Sequence, residues 1–139
     1  MQTPSTLDEA GIAQLVDRFY DKVRVDPLIG PVFNAAVRDW PGHKRLLTSF
    51  WCSVALQAAS YHGNPMAVHR AQPAIRTEHF ARWLELWRET TREVMDATDA
   101  ARMVDYAERI GRSLRMGMGL PDNVQARSLG VPVVAARHP

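Results

Sequence analysis

The sequence lacks most of the features that would reveal a protein's chemistry at once. Among its 139 residues there is one cysteine, Cys52, so an internal disulfide is excluded, and no CxxC or CxxCH motif occurs. No apolar run approaches the roughly 20 residues that span a bilayer. The first residues, MQTPSTLDEAG, do not contain the apolar core of a signal peptide. We therefore expect a cytoplasmic protein without a membrane partner.

Excess charge and hydrolytic motifs are also missing. The formal net charge is only +2, and basic residues alternate with acidic ones, as in DRFYDKVRVD, so no basic stripe for nucleic acid is present. The five histidines form no i,i+3 or i,i+4 pair, and neither an HExxH motif nor a serine nucleophile elbow occurs. These absences argue against a nucleic-acid partner and give hydrolytic chemistry no support.

What the sequence does contain is helical periodicity. Its apolar fraction of 46% is sufficient for the core of one domain. Apolar residues recur at helical spacing, and no alternation typical of strands is present, so the predicted fold class is all-α. The domain is predicted to cover residues 1–120, followed by a loose, polar, proline-containing tail at 121–139.

Local signals predict where the helices begin and end. In chain order, the predictions are a capping box at Thr6 and Glu9, a stop at Asp26 and Pro27, a helix over 42–59, a helix from about Thr77, and a cap at Thr98 or Asp99. The segment LIGPVF is interpreted as an apolar, irregular corner ending at Phe33.

Two histidines are candidates for a binding role. His69 stands on the short segment GNPMAVHRAQPAI, which glycine and prolines separate from its neighbours, and His43 heads the apolar stripe of the second long helix. Taken singly, these are ordinary partly exposed histidines, as Tyr20 is an ordinary core-edge tyrosine and Trp83 a core anchor. Together they supply what a flat ligand such as haem requires: one axial imidazole, an apolar cavity and a few donors.

Four segments, in the order found here, resemble the truncated haemoglobins and specifically their group III. They are FYDKVRVDPLIGPVF, HKRLLTSFW, HRAQP and HFARWLELW, and the resemblance runs from about Leu7 to Leu120. It implies a shortened globin fold in which two antiparallel helix pairs sandwich haem b. One departure, SYHGNP in place of the Gly-Gly pair that follows the distal helix in groups I and II, fits group III.

The resemblance also implies roles for individual residues. His69 corresponds to the proximal iron ligand, Tyr20 to the distal tyrosine that donates to a bound gas, and Trp83 to the distal tryptophan. His43 falls at the distal position, either as a gate or as a sixth iron ligand. Further cofactor-binding positions are Phe33, Leu47, Phe50, Trp51 and, as candidate propionate partners, Arg70 and Arg76.

Three functions remain open. The first is a haem protein that binds dioxygen, nitric oxide or carbon monoxide, with Tyr20 and Trp83 giving high affinity and a slow release that suits transport poorly. The second is a haem enzyme for nitric oxide dioxygenation or peroxide detoxification, with His43 and Tyr20 as candidate catalytic residues and a reductase as partner. The third is a cofactor-free helical interaction module. A monomer or weak dimer is expected.

Overall fold

The computed structural model describes residues 7–57, 64–70 and 74–120. All regular secondary structure in these ranges is helical, which confirms the all-α fold class. The helices are α1 (Glu9–Val25), α2 (Gly30–Ala36), α3 (Trp40–Leu56), α4 (Pro65–Arg70), α5 (Thr77–Val94) and α6 (Ala97–Met118). In the described ranges, no helix is both long enough and apolar enough to cross a bilayer. The predicted tail at 121–139 lies outside the described residues, so the division into domain and tail stays a prediction.

The first helix begins at an aspartate cap. Asp8 precedes α1, and its Oδ1 accepts a hydrogen bond from the Gly11 amide at 2.7 Å. A carboxylate suits this position because it accepts an otherwise unpaired amide and faces the positive end of the helix dipole. The predicted capping box at Thr6 and Glu9 is wrong, because Glu9 is the first helical residue and not the third.

The last helix is capped in the same way. Asp96 precedes α6, and its Oδ1 accepts from the Asp99 amide at 2.8 Å. The prediction of Thr98 or Asp99 as the cap is therefore wrong by two or three residues. Asp99 instead lies in the first turn, where a negative charge also favours the helix.

The segment LIGPVF contains the start of α2 and is not irregular throughout, so that interpretation is corrected. Pro31 lies in the first turn, where its missing N–H leaves no helical hydrogen bond unmade. The corner before α2 is tight, because a Cβ on Gly30 would lie 3.0 Å from the carbonyl oxygens of Val23 and Arg24. Glycine at this position lets α2 turn closely against the end of α1.

Asp26 ties this corner to α5. Its Oδ2 accepts from the amides of Leu28 and Ile29, both at 3.0 Å, and its Oδ1 accepts from Nε of Arg82 at 2.7 Å. Burial alone raises the pKa of Asp26, but the hydrogen bonds from Ile29, Arg82 and Leu28 outweigh it and hold the pKa below its ordinary value. The buried carboxylate is thus kept as an anion that fixes α2 relative to α5.

The helix α3 begins two residues before the predicted start at 42. Asp39 is its cap, accepting from the Gly42 amide at 3.0 Å, and Pro41 fits the first turn. The helix ends at Leu56, before the predicted end at 59, where Gln57 takes the left-handed conformation with φ of 57°.

Two antiparallel helix pairs build the fold. In the first pair, Lys44 of α3 binds Asp17 and Asp21 of α1 at 2.9 and 2.8 Å, whereas Cys52, near the end of α3, lies within electrostatic reach of Glu9 at the start of α1. The start of each helix therefore meets the later part of the other. Burial, and then the Glu9 carboxylate, raise the pKa of the Cys52 thiol, which is buried and reduced.

The second pair consists of α5 and α6, joined through Met95. Nε1 of Trp87 donates to the Met103 carbonyl at 3.0 Å, and Gly111 lies against the ring of Phe80. The contact farther from the connection joins an earlier residue of α5 to a later residue of α6, so the two helices are antiparallel. Both pairs contribute to one apolar core, in which Phe19, Trp51 and Trp87 are almost fully buried.

Candidate functional site

A cavity of about 500 Å³ lies between the helices, and every one of α1 to α6 contributes to its lining. Most of the lining is apolar. The polar side chains are those of Tyr20, Arg38, Asp39, His43, His69 and His79, together with the indoles of Trp51 and Trp83. An apolar cavity of this volume with a few convergent polar groups is typical of small-molecule and cofactor sites.

The cavity brings together most of the residues predicted for the site. They are Tyr20, Phe33, His43, Leu47, Phe50, Trp51, His69 and Trp83. Arg76 is exposed and does not line the cavity, and the side chain of Arg70 lies outside the described part of the chain. Residues that the sequence analysis predicts on separate helices therefore line one apolar and aromatic cavity.

His69 enters the cavity from the six-residue helix α4 in a defined tautomer. Its Nδ1 lies 2.7 Å from the carbonyl oxygen of Pro65, four residues earlier. A carbonyl can only accept, so Nδ1 carries the proton and donates, which leaves Nε2 with a free lone pair. The ring is half-buried and stacks on Phe80, with ring centroids 6.4 Å apart and planes inclined by 28°. This arrangement leaves Nε2 as the nitrogen of His69 that can ligate a metal.

Tyr20 and Trp83 are neighbouring polar side chains on the cavity lining. Tyr20 is only 3% exposed, and burial raises the pKa of its phenol, while a hydrogen bond with the Trp83 side chain lowers it by a smaller amount. An indole N–H can only donate, so in this interaction the Tyr20 oxygen is on the accepting side. The phenol stays protonated, and its own O–H remains as a donor. Phe19 holds both rings by edge contacts, at centroid distances of 4.7 Å and 6.1 Å.

His43 lines the cavity beside this pair. Its ring meets Tyr20 and Trp40 edge-on, with centroids 5.6 and 5.5 Å apart. Burial lowers the pKa of His43, so its imidazole is neutral at pH 7. A neutral imidazole can give or accept one proton and can bind a metal, and both properties suit the position predicted from the sequence.

Trp51 forms part of the cavity wall and joins it to the core. Its ring stacks on Trp87 at a centroid distance of 4.5 Å and lies parallel to Trp83 at 6.5 Å. Nε1 of Trp51 is buried and has no hydrogen-bond partner within the described residues. The indole therefore acts in this structure as a rigid apolar surface, which agrees with its predicted role as a pocket-lining residue.

Two apolar residues at the rim of the cavity indicate the shape of its ligand. Leu46 of α3 is 48% exposed and Val68 of α4 is 58% exposed, although both line the cavity. Covering such side chains stabilises a complex by about 25 cal/mol per Å² of apolar surface removed from water. A flat apolar molecule that fills the chamber and reaches its rim would cover both, so the residues present fit a porphyrin.

Sequence reasoning missed three polar residues of the cavity, Arg38, Asp39 and His79. Arg38 lies in the connection between α2 and α3, and His79 lies in the first turn of α5. Nδ1 of His79 accepts a hydrogen bond from the Arg76 amide at 2.8 Å. His79 is the first residue of the segment HFARWLELW, whereas Arg38 lies five positions before HKRLLTSFW, and no local pattern marks either of them as facing a ligand.

Comparisons with known proteins agree with this fold and cavity. No protein-family model matches the chain. The chain is 36% identical over 89 residues to a group 3 truncated hemoglobin of Campylobacter jejuni, an alignment that covers 61% of this chain and 70% of that protein. The crystal structure of a group III truncated hemoglobin from Campylobacter jejuni superposes with a TM-score of 0.76 at 30% identity, covering 85% of this chain and 94% of that one.

A shortened globin fold around an apolar cavity with an inward imidazole defines the class of globin-type haem proteins. Within that class, the chain belongs to the group III truncated haemoglobins. The resemblance seen in the sequence and the predicted fold are both confirmed.

Proposed function

We propose that the chain binds haem b in this cavity, with Nε2 of His69 as the protein ligand of the iron. The observation that carries the proposal is the hydrogen bond between Nδ1 of His69 and the Pro65 carbonyl. It fixes the tautomer in which Nε2 can bind a metal, orients the ring and increases its basicity. Haem iron would supply the position at which dioxygen or another diatomic gas binds and takes up partial negative charge.

Tyr20 and Trp83 are proposed to stabilise that gas. Because the Trp83 indole N–H can only donate, the Tyr20 O–H remains available as a donor to a ligand in the cavity. Burial keeps the phenol protonated, so the donor persists across physiological pH. A hydrogen bond to a charged acceptor contributes about 1.5–3 kcal/mol. We therefore infer high affinity and slow release of dioxygen.

The remaining lining positions are proposed to hold the macrocycle. Phe33 and Phe50 are half-buried aromatic residues, and Leu47 and Trp51 complete an apolar wall along α2 and α3. Apolar walls exclude water, which strengthens every hydrogen bond made inside the chamber. His43 would either gate access to the ligand or bind the iron when no gas is present.

A haem enzyme on the same scaffold is the second candidate, and the state of His43 favours it. General acid–base catalysis needs a group that can exchange a proton near neutral pH, and His43 lines the cavity as a neutral imidazole. Sustained nitric oxide dioxygenation would require one electron per turnover from a reductase, and reduction of peroxide to water would require two electrons from a reductase or a small reducing substrate. Sustained turnover with a reductant would favour this candidate, whereas a single stoichiometric oxidation would favour the simple binder.

The proposal is tested by the absorption spectrum of the full-length protein supplied with haem. We expect a strong Soret band that shifts on reduction with dithionite and again with carbon monoxide. In His69→Gly the band should change to that of weakly ligated haem, and added imidazole should restore it. His43→Leu is the matched control, because it removes another imidazole of the cavity lining and leaves His69 in place.

Two results would contradict the proposal. A folded protein without a Soret band, even with excess haem, would leave the cofactor-free interaction module as the better reading. A His69→Gly spectrum identical to that of wild type, with no response to imidazole, would assign the iron bond to another residue.

A further inference from the structure

We infer that Arg38 and His79 bind the carboxylate edge of the ligand that fills the cavity, and that Arg76 does so only indirectly, by fixing the ring of His79. The inference rests on the proposed haem function and names two residues that the resemblance does not assign. It starts from the composition of the lining, where most side chains are apolar and the donors are few.

The donors of the cavity divide into two groups. Tyr20, His43, His69 and Trp83 already have roles at the centre of the chamber. The remaining polar side chains of the lining, apart from the indole of Trp51, are Arg38, Asp39 and His79, and Oδ1 of Asp39 accepts the cap hydrogen bond from Gly42. Arg38 and His79 are thus left as donors without an assigned ligand.

His79 is held in the tautomer that a carboxylate requires. Its Nδ1 accepts from the Arg76 amide at 2.8 Å, while its own amide donates to the Arg76 carbonyl at 3.0 Å. A nitrogen that accepts a hydrogen bond carries no proton, so the neutral ring bears its proton on Nε2. This is the reverse of His69, where Nδ1 donates to Pro65. One cavity therefore contains a histidine prepared to ligate a metal and a histidine prepared to donate to an acceptor.

Arg38 provides the positive charge. No other lysine or arginine side chain among the described residues lines the cavity, and within those residues it makes neither an ion pair nor a hydrogen bond. It is exposed, so it stands where the cavity opens to solvent. A guanidinium presents two parallel N–H groups that match a carboxylate. An apolar macrocycle with two carboxylates at one edge, such as haem b, matches an apolar chamber with these two donors.

Arg76 has a different function in this arrangement. Its side chain is exposed and outside the lining, but its backbone amide determines which nitrogen of His79 carries the proton. Substituting the Arg76 side chain leaves that amide in place. The arginine predicted from the sequence as a propionate partner is therefore expected to tolerate neutralisation, unlike Arg38.

The test compares haem b with its dimethyl ester, in which both carboxylates are blocked and the iron is unchanged. The full-length protein is loaded with either compound, and the rate of loss to excess apomyoglobin is measured. Because the bond to His69 is the same in both complexes, it cancels in the ratio of the two rates. We expect wild type to lose the ester about tenfold faster than haem, which corresponds to about 1.4 kcal/mol.

The variants are chosen to separate recognition from folding. His79→Asn keeps an oxygen near the position of Nδ1 to accept from the Arg76 amide but removes the donor at Nε2, and His79→Gln returns an amide N–H to about that distance. Arg38→Gln removes the charge, and Arg76→Gln is the matched control. We expect the ratio to fall about threefold in His79→Asn and in Arg38→Gln, to approach one when the two are combined, and to recover partly in His79→Gln.

The following results would contradict the inference or reassign the role of Arg38 and His79. A wild-type ratio near one, or a ratio unchanged in the combined variant, would overturn the inference while leaving haem binding intact. A ratio that falls in Arg76→Gln alone would return the role to Arg76. If the wild-type chain takes up neither compound, the proposed function fails, and this inference fails with it.

Discussion

The buried phenol of Tyr20 on the cavity lining leads to a quantitative prediction for the release of dioxygen. Tyr20 is 3% exposed, so a Tyr20→Phe substitution removes a buried donor with little change in shape. Losing one hydrogen bond to a charged acceptor costs about 1.5–3 kcal/mol. At about 1.4 kcal/mol per factor of ten, dioxygen should dissociate about 10 to 150 times faster from the variant.

The two donors should not act independently. In Tyr20→Phe the Trp83 indole loses the neighbouring phenol oxygen, and its N–H can turn to the ligand, which offsets part of the loss. The double variant Tyr20→Phe/Trp83→Phe lacks that substitute donor. We therefore expect its release rate to exceed the rate predicted by multiplying the two single effects, with an interaction of about 0.5–3 kcal/mol between residues in contact.

Stopped-flow replacement of dioxygen by carbon monoxide measures these rates. Carbon monoxide dissociation is the control, because that ligand carries less charge and should respond much less to loss of a donor. Release of dioxygen within twofold of wild type in all three variants would refute the reasoning, since neither side chain would then stabilise the bound gas. Strict multiplicativity would refute only the contact between the two donors.

Two further predictions concern groups whose pKa the structure shifts. Asp26→Ala should lower the free energy of unfolding at pH 7 by about 2–3 kcal/mol in urea titrations, because it leaves two amides and Arg82 without their acceptor. Since folding lowers the pKa of Asp26, the difference in the free energy of unfolding between wild type and Asp26→Ala should shrink as the pH falls below about 4. A difference at pH 3 as large as that at pH 7 would contradict this prediction. Burial lowers the pKa of His43, so carbon monoxide association should be constant from pH 7 to 9 and change only below about pH 6.5, where unshifted imidazoles titrate; His43→Leu should abolish that change.

The sequence predicted the fold better than it predicted helix ends. Long stripes such as those of α1 and α5 identify helices because burial of one face is decided by many residues together. A cap depends on one side chain, and Asp8 and Asp96 compete with Thr6 and Thr98 as equally suitable acceptors two residues away. The short helix α2 was missed because Gly30 and Pro31 usually interrupt helices, whereas here they form its first turn.

For the site, the order of the motifs predicted which side chains line the cavity, but it could not predict which nitrogen of a histidine carries the proton or where an arginine points. His69 and His79 have the same side chain, yet opposite nitrogens carry the proton, because one ring meets the Pro65 carbonyl and the other the Arg76 amide. Arg76 is close to His69 in sequence, but distance along the chain does not determine the direction of a guanidinium. Arg38 lies 31 positions before His69, so proximity in sequence does not connect it with the site.

The position of His69 is itself determined by tertiary packing. A helix of six residues, such as α4, is too short to be stable by itself in water, so its place depends on packing against α6 and on the stacking of His69 on Phe80. The rim residue Val68 of the same helix remains 58% exposed, which means that protein contacts alone bury this segment incompletely. A ligand that binds the folded chain and not the unfolded one adds to stability in proportion to the logarithm of its concentration over its dissociation constant. Because α4 supplies both the proposed iron ligand, His69, and an uncovered part of the cavity wall, its order should depend strongly on occupation of the cavity.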